Sequence, residues 1–480
     1  MRNFPLYVLW GALLFTGNAY AEYKYTEDSA RIVNGVLYDV NGEAVTGVYE
    51  EFYENNIKKS EMPYVEGILN GVGTLYDEQG VKKADMPFIN GSLEGNALIY
   101  YPDGTLKEKI PYKNNQIQGL VRRYYPNGVV QTRENYAFGA REGLSKEYYE
   151  DGRIKEAYTY RDGEKDGKGM RYFDDGKVSE EYMYKDGQLV GESVLFYHSG
   201  EKKSVISYDE GGNKRSLKRF YKNGSLLAEI PYKNDELSGE GTFYTPDGVS
   251  DMTVNYLNNQ RNGAATAYYP DGAVRLTVNY TNDMKDGLET EYFENGQIKT
   301  ETSYVDDKPV GSSKSYDEDG KLIGEIPYVN GLKEGTFKQY NEKGEVIAEG
   351  QYKNGVIEGE YKEYYAPGKE KAVATYVNGV RQGLSLVYDE DGNLQFEIPY
   401  VNDLKEGKVK HYYPSGKVMG EILYEKGQKH GMLEAYNEDG TLMAKVLFNR
   451  DTAIKGYSFT HGQNATLMTP EDLSQINSAY

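Results

Sequence analysis

The sequence predicts an all-β protein, an elongated antiparallel meander of tandem β-hairpins in a single twisted sheet, and three observations carry that prediction. From Gly47 to Ala444 the 480-residue chain repeats every 24 residues without insertion or deletion. Counting Gly47 as position 1, glycine recurs there in every one of 17 units except at Arg215, and positions 6 and 18 are aromatic in all 17. Turn signals recur at half that period, so each unit holds two strands. A fixed period of this size marks a repeat architecture, in which stacking of neighbours supplies the core that no unit builds alone.

The first turn of a unit is read from Tyr101-Pro102-Asp103-Gly104-Thr105, where proline and aspartate take the central positions and glycine the left-handed one. This is a hairpin with a bulge at its exit. A loop centred on position 9 sets 6 against 12, 4 against 14 and 2 against 16, and these positions are expected to share one apolar face. Position 12 is aliphatic in 12 units, as at Leu106, Val130, Ile154, Val274 and Leu442, and position 16 is Met, Ile or Val in 11, including Met62, Ile110 and Ile422. The opposite face, with positions 3, 5, 13 and 15, reads as charged, and position 7 adds a second aromatic in 11 units.

The second turn follows as Asn90-Gly91, Asp162-Gly163, Asp186-Gly187, Asn330-Gly331, Asn354-Gly355 and Asn378-Gly379. Centred on position 21, it would set Leu106 between Tyr100 and Tyr124. Proline at position 17 (Pro63, Pro87, Pro111, Pro231, Pro327 and Pro399) lacks the N–H of a central strand, so each strand is expected to bend or stop pairing there, facing the position-1 glycines. Thirty-four strands at ~4.8 Å make a sheet about 160 Å long, which twist should coil.

The ends depart from the pattern. In residues 1–21, Arg2, an apolar run from Pro5 to Phe15 and Ala19-Tyr20-Ala21 read as a secretory signal peptide. Residues 22–46 read as a capping hairpin around Tyr38-Asp39-Val40-Asn41-Gly42, 47–454 as the array, and 455–480 as a cap. In that cap Thr469-Pro470-Glu471-Asp472 starts a short helix over the last sheet edge. The absence of cysteine excludes disulfides, a thiolate nucleophile and a lipoprotein anchor. With the signal peptide this implies a bacterial exported protein, periplasmic, surface-bound or extracellular. A net charge of −20 disfavours nucleic acid and anionic lipid. Arg122, Lys146, Lys218, Lys314, Lys338, Lys362 and Lys410 at position 4 argue against a membrane barrel.

The order Tyr352-Lys353-Asn354-Gly355, then Gly359, Tyr364 and Gly368, resembles the MORN repeat, and more closely the bacterial variant grouped with YwqK-type antitoxins. The resemblance covers about 420 residues. It implies a scaffold, envelope or antitoxin-type protein.

No catalytic constellation stands out, and no cofactor is expected. The histidines His198, His411, His430 and His461 form no metal pair by register, with His411 and His430 far apart along the strands. Asp317-Glu318-Asp319-Gly320 and Asp389-Glu390-Asp391-Gly392 read as turns rather than calcium loops. No carboxylate pair departs from the repeat background, and every glycine is explained by a turn. One anomaly, the basic spot Lys202, Lys203, Lys214, Arg215, Lys218 and Arg219, interrupts the acidic background.

The expected function is a non-enzymatic exported scaffold that binds a protein, or another macromolecule such as a glycan, along a tyrosine-lined face. Tyr100, Tyr124, Tyr148, Tyr268, Tyr292, Tyr316, Tyr340 and Tyr364 are the candidate anchors. The rival readings are an immunity protein that neutralises an effector and a glycan-binding protein.

Overall fold

In the computed structural model, residues 23–479 are described, and the proposed signal peptide lies outside them. Two-thirds of the chain is strand (66%), arranged in an open array of antiparallel hairpin repeats with one short helix. The chain divides into two compact units, Met1–Ser225 and Leu226–Tyr480, with the same hairpin geometry in each.

Each repeat opens with a six-residue strand such as Gly95–Tyr100 and returns through an eight-residue one such as Leu106–Lys113. The turn between them is the three-residue loop foreseen, since Gly104 N–H donates to Tyr101 O (2.9 Å) and Tyr101 N–H to Thr105 O (2.8 Å). Position 6 pairs with 12, as Tyr100 with Leu106, but the register then shifts, and Ile99 meets Glu108, Ala97 meets Ile110 and Gly95 meets Tyr112. The extra residue is position 13, a β-bulge inside the returning strand. The expected pairings of 4 with 14 and 2 with 16 are therefore corrected to 4 with 15 and 2 with 17. Because side chains alternate, a one-residue shift exchanges faces. Positions 1, 3, 5, 14, 16 and 18 share a core face; 2, 4, 6, 12, 15 and 17 share the other, and the aromatic rows at 6 and 18 lie on opposite sides.

Position 3, expected on the charged face, is the most consistently buried row. Ala97, Val121, Ala265, Phe337 and Val409 are buried there, beside Val254, Val278, Ile422 and Val446 at position 16. Pairs across these rows complement each other in size, as Phe337 with Gly350, Tyr361 with Ala374 and Gly169 with Tyr182. A Cβ on Gly350 would lie 2.9 Å from Phe337 Cε1, so this ring packs against glycine opposite.

The second turn is a two-residue loop at positions 20 and 21, both left-handed: Asn90 at φ 49° and Gly91 at 81°. Asparagine, aspartate and glycine recur there because they tolerate this region. The ladder into the next repeat then joins Glu108 to Arg123 and Lys109 to Arg122 and lapses at positions 16 and 17. Leu106 is thus out of register with Tyr124, contrary to expectation. Proline occupies this gap, where no N–H is needed, and its carbonyl accepts the position-24 N–H, as Gln118 N to Pro111 O (2.9 Å). Its ring covers the following position-1 glycine: a Cβ on Gly239, at φ 106°, would lie 3.1 Å from Pro231 Cγ. On its other side proline pairs with position 2, not with glycine.

Arg215 shows the rule by breaking it. Without a left-handed residue there, the preceding turn is a three-residue loop, with Gly212 N–H donating to Asp209 O (3.1 Å). The ladder runs unbroken from Ser204–Arg219 to Ser207–Ser216.

The array is closed off differently at each end. Lys24–Tyr25 pairs in parallel with Val48–Tyr49, an exception to the antiparallel expectation. Ala30–Val33 and Val36–Asp39 form a small separate hairpin that buries Leu37 with Val45, Tyr49 and Tyr64. At the other end strands continue to Leu467, and helix α1 (Pro470–Ala479) follows. The helix begins as expected: Thr469 Oγ1 accepts the Asp472 N–H (3.2 Å) while the Asp472 carboxylate accepts the Thr469 N–H (2.8 Å). Leu473 and Ile476 pack with Met468 on the core face, against Val446, Phe448 and Ala453, and Asn477 Oδ1 accepts the Ala453 N–H (2.7 Å) of the last long strand.

Candidate interaction surface

All eight candidate tyrosines at position 6 are half-buried on the non-core face. Their environment is set by position 15 of the preceding repeat. Where that residue is acidic, the hydroxyl donates to it: Tyr100 to Asp85 (2.8 Å), Tyr316 to Glu301 (2.9 Å), Tyr340 to Glu325 (3.0 Å) and Tyr364 to Glu349 (2.8 Å). Where it is Arg133, the guanidinium lies 5.6 Å from the Tyr148 ring centre. Tyr124, Tyr268 and Tyr292 follow Lys109, Thr253 and Thr277. The same acids alternate with position-4 lysines in direct cross-strand pairs, Glu301–Lys314–Glu325–Lys338 in succession. This face is a ladder of internally paired groups.

Burial, then the bond to Asp85, pushes the Tyr100 hydroxyl up to about 12, and Tyr364 is held at about 12 by burial and Glu349. A raised folded pKa favours the neutral phenol, so this contribution is complete below the unfolded value of about 10 and is lost as pH rises from there through 12. The denaturation midpoint is expected to fall over that interval, in step with phenolate absorbance. A midpoint flat to pH 12 would show that these bonds do not support the fold.

Neither the partners of the position-7 aromatics nor the position-24 row was read from the sequence. Position-7 tyrosines donate to the position-6 carbonyl of the next repeat, as Tyr101 to Tyr124 O (2.7 Å) and Tyr269 to Tyr292 O (2.7 Å). Position-24 carboxylates accept the next position-20 N–H, as Glu94 from Asn114 (2.8 Å) and Glu358 from Asn378 (2.7 Å). Both link residues about one period apart, and that spacing was the available signal.

On the core face position-18 rings meet position 23 of the preceding repeat. In several repeats this is a cation: Arg261 lies 4.2 Å from the Tyr280 ring centre, Lys333 4.9 Å from Tyr352 and Arg381 4.4 Å from Tyr400. The face thus combines apolar rows at 3 and 16 with tyrosines edged by Lys and Arg. Helix α1 lies on it.

The basic spot does not converge. Register puts Lys202 and Lys218 on one face and Arg219 on the other, with Lys203 and Arg215 at bulges and Lys214 opposite Tyr208; Arg215 is tied to Asp209 (2.7 Å). His411 stacks on Phe396 (4.2 Å), where burial lowers its pKa, and His430 faces Glu425 (3.9 Å). The Asp317 and Asp389 carboxylates accept backbone N–H groups of their own turns. A cavity of about 490 Å³ lies beside Gly359, where Gln351 replaces proline. Its acids are already engaged, Glu349 by Tyr364, Glu358 by Asn378 and Glu360 by Lys362. Register does bring His198 beside Asp174 and Asp175. Among the described residues no helix is long and apolar enough to cross a membrane.

No curated protein matches the chain significantly. Among solved structures, similarity is found to the TcdB2–TccC3 crystal structure (10% identity, 90% of this chain, 31% of that one, TM-score 0.12) and to TcdB2–TccC3–Cdc42 (10%, 91%, 30%, 0.12). The chain spans about a third of the length of those proteins, and a TM-score so low carries no structural argument. Family comparison is informative. The MORN repeat variant matches at residues 45–66, 93–114, 117–137, 141–162, 165–186, 216–234, 285–306, 309–330, 333–354, 381–402 and 405–426. The MORN repeat matches at 232–250 and 349–368. With glycine, tyrosine and the turn residues in the same phase throughout, this chain is a tandem array of MORN repeats.

Proposed function

We propose that the protein is a non-enzymatic scaffold, exported by its N-terminal segment, that holds a partner protein on the core face. The observation that carries this reading is the seat of α1. Leu473 and Ile476 occupy rows that recur every 24 residues, and Glu471 and Asp472 lie in the helix's first turn, which has no basic residue. The partner element is accordingly an acidic amphipathic helix: apolar residues meet positions 3 and 16, and its acids meet the position-23 cations. Of the position-6 tyrosines expected as anchors, Tyr100, Tyr316, Tyr340 and Tyr364 spend their hydroxyls on neighbouring carboxylates, and the row is assigned to structure.

The test is capture of a partner from the producing cell by the mature chain and two variants. Arg261→Glu with Lys333→Glu and Arg381→Glu is expected to lose it, by about tenfold or more in affinity (near 1.4 kcal/mol). Tyr268→Phe with Tyr292→Phe and Tyr316→Phe is expected to retain it. The reverse pattern would move binding to the tyrosine ladder.

A further inference from the structure

Position 8 lies at the tip of the first turn of every repeat and is histidine once, at His198. One period earlier the turn carries Asp174 and Asp175, and ligand atoms of all three residues lie within 4.8 Å of one another. Two local features bring them together. Position 7 of the earlier repeat is Phe173; lacking the hydroxyl that tyrosines donate to the next repeat, it packs its ring on the His198 imidazole, 4.8 Å between centres. Asp175 Oδ1 accepts the Lys177 N–H (3.1 Å), which leaves Oδ2 turned to His198 Nε2 at 3.4 Å.

We propose that Asp174, Asp175 and His198 form a divalent transition-metal site joining two successive hairpin turns. One imidazole nitrogen with two carboxylate oxygens is a zinc-type ligand set with room for water. Calcium and magnesium prefer oxygen alone, so the imidazole selects against them. The ligands come from different repeats, so the metal ties one hairpin to the next. All three residues are exposed, so a metal held there leaves the core untouched. Lys177 Nζ, 3.5 Å from Asp175 Oδ2, competes for that oxygen and also donates to His198 O (3.2 Å), where it can remain when metal binds.

The test is calorimetric titration of the mature chain with zinc chloride, repeated with magnesium chloride and on His198→Ala, Asp174→Asn and His411→Ala. His198 is 60% exposed, so its replacement should leave the circular dichroism spectrum unchanged. The expected result is one zinc site weakened roughly tenfold or more in His198→Ala and in Asp174→Asn, retained in His411→Ala, and not filled by magnesium. Equal zinc binding by wild type and His198→Ala, or equal occupancy by magnesium, overturns the proposal and leaves only the general affinity of an acidic surface.

Discussion

Deleting the 24 residues Gly263 to Asp286 is expected to leave a cooperatively folded protein, whereas deleting only Gly263 to Val274 abolishes folding of the second compact unit. The whole-repeat deletion joins Asn262 to Gly287, and the new junction reproduces the old. Gly263 and Gly287 share a left-handed backbone, φ 100° and 111°, and each packs against an asparagine at position 17, Asn255 or Asn279. Stability in a repeat array is close to a sum of unit and neighbour terms, so one unit removes a small share. The 12-residue deletion removes one opening strand, reverses the direction of everything after it and sets two returning strands side by side. The bulge and the two turn types then fall out of phase, exchanging buried and exposed rows. Circular dichroism and protease resistance distinguish the outcomes; equal loss in both deletions would refute pairing between sequence neighbours.

Phe337→Ala is the point substitution expected to do most damage, about 3 to 5 kcal/mol. The ring is 6% exposed, 4.7 Å from Tyr352 and 6.2 Å from Tyr361 between centres, and it fills the space left by Gly350 directly opposite. Adding Gly350→Ile recreates the Ala97–Ile110 arrangement of an intact repeat and should recover more than half of the loss, measured by urea denaturation. If the double variant is no more stable than Phe337→Ala, the two positions do not share one packing volume.

The period, the strand count per repeat, both turns, the helix start and the gap at proline were legible because each depends on local backbone chemistry. Glycine at a left-handed φ, asparagine in a two-residue loop and proline without an N–H act within a few residues of themselves. The faces were not legible. A bulge at position 13 carries no obligatory residue, Lys107 and Gln131 serving equally, yet its single extra residue moves position 3 into the core. The small residues Gly73, Ala97, Ser145 and Gly169 at position 3 were the available signal, because a charged outer row has no need of them.

The sequence by itself determined that this chain is a MORN-type array of antiparallel hairpins, since 17 copies of one local pattern have few other ways to satisfy their turns and bury their aromatic rows. Only the tertiary structure decided which aromatics line the core, that position-6 hydroxyls are used between repeats where an acid precedes them, that α1 lies on the core face, and that His198 stands beside Asp174 and Asp175. Each of these depends on register between neighbouring strands, where a shift of one residue reverses every side chain, and no composition or spacing within a single strand encodes that shift.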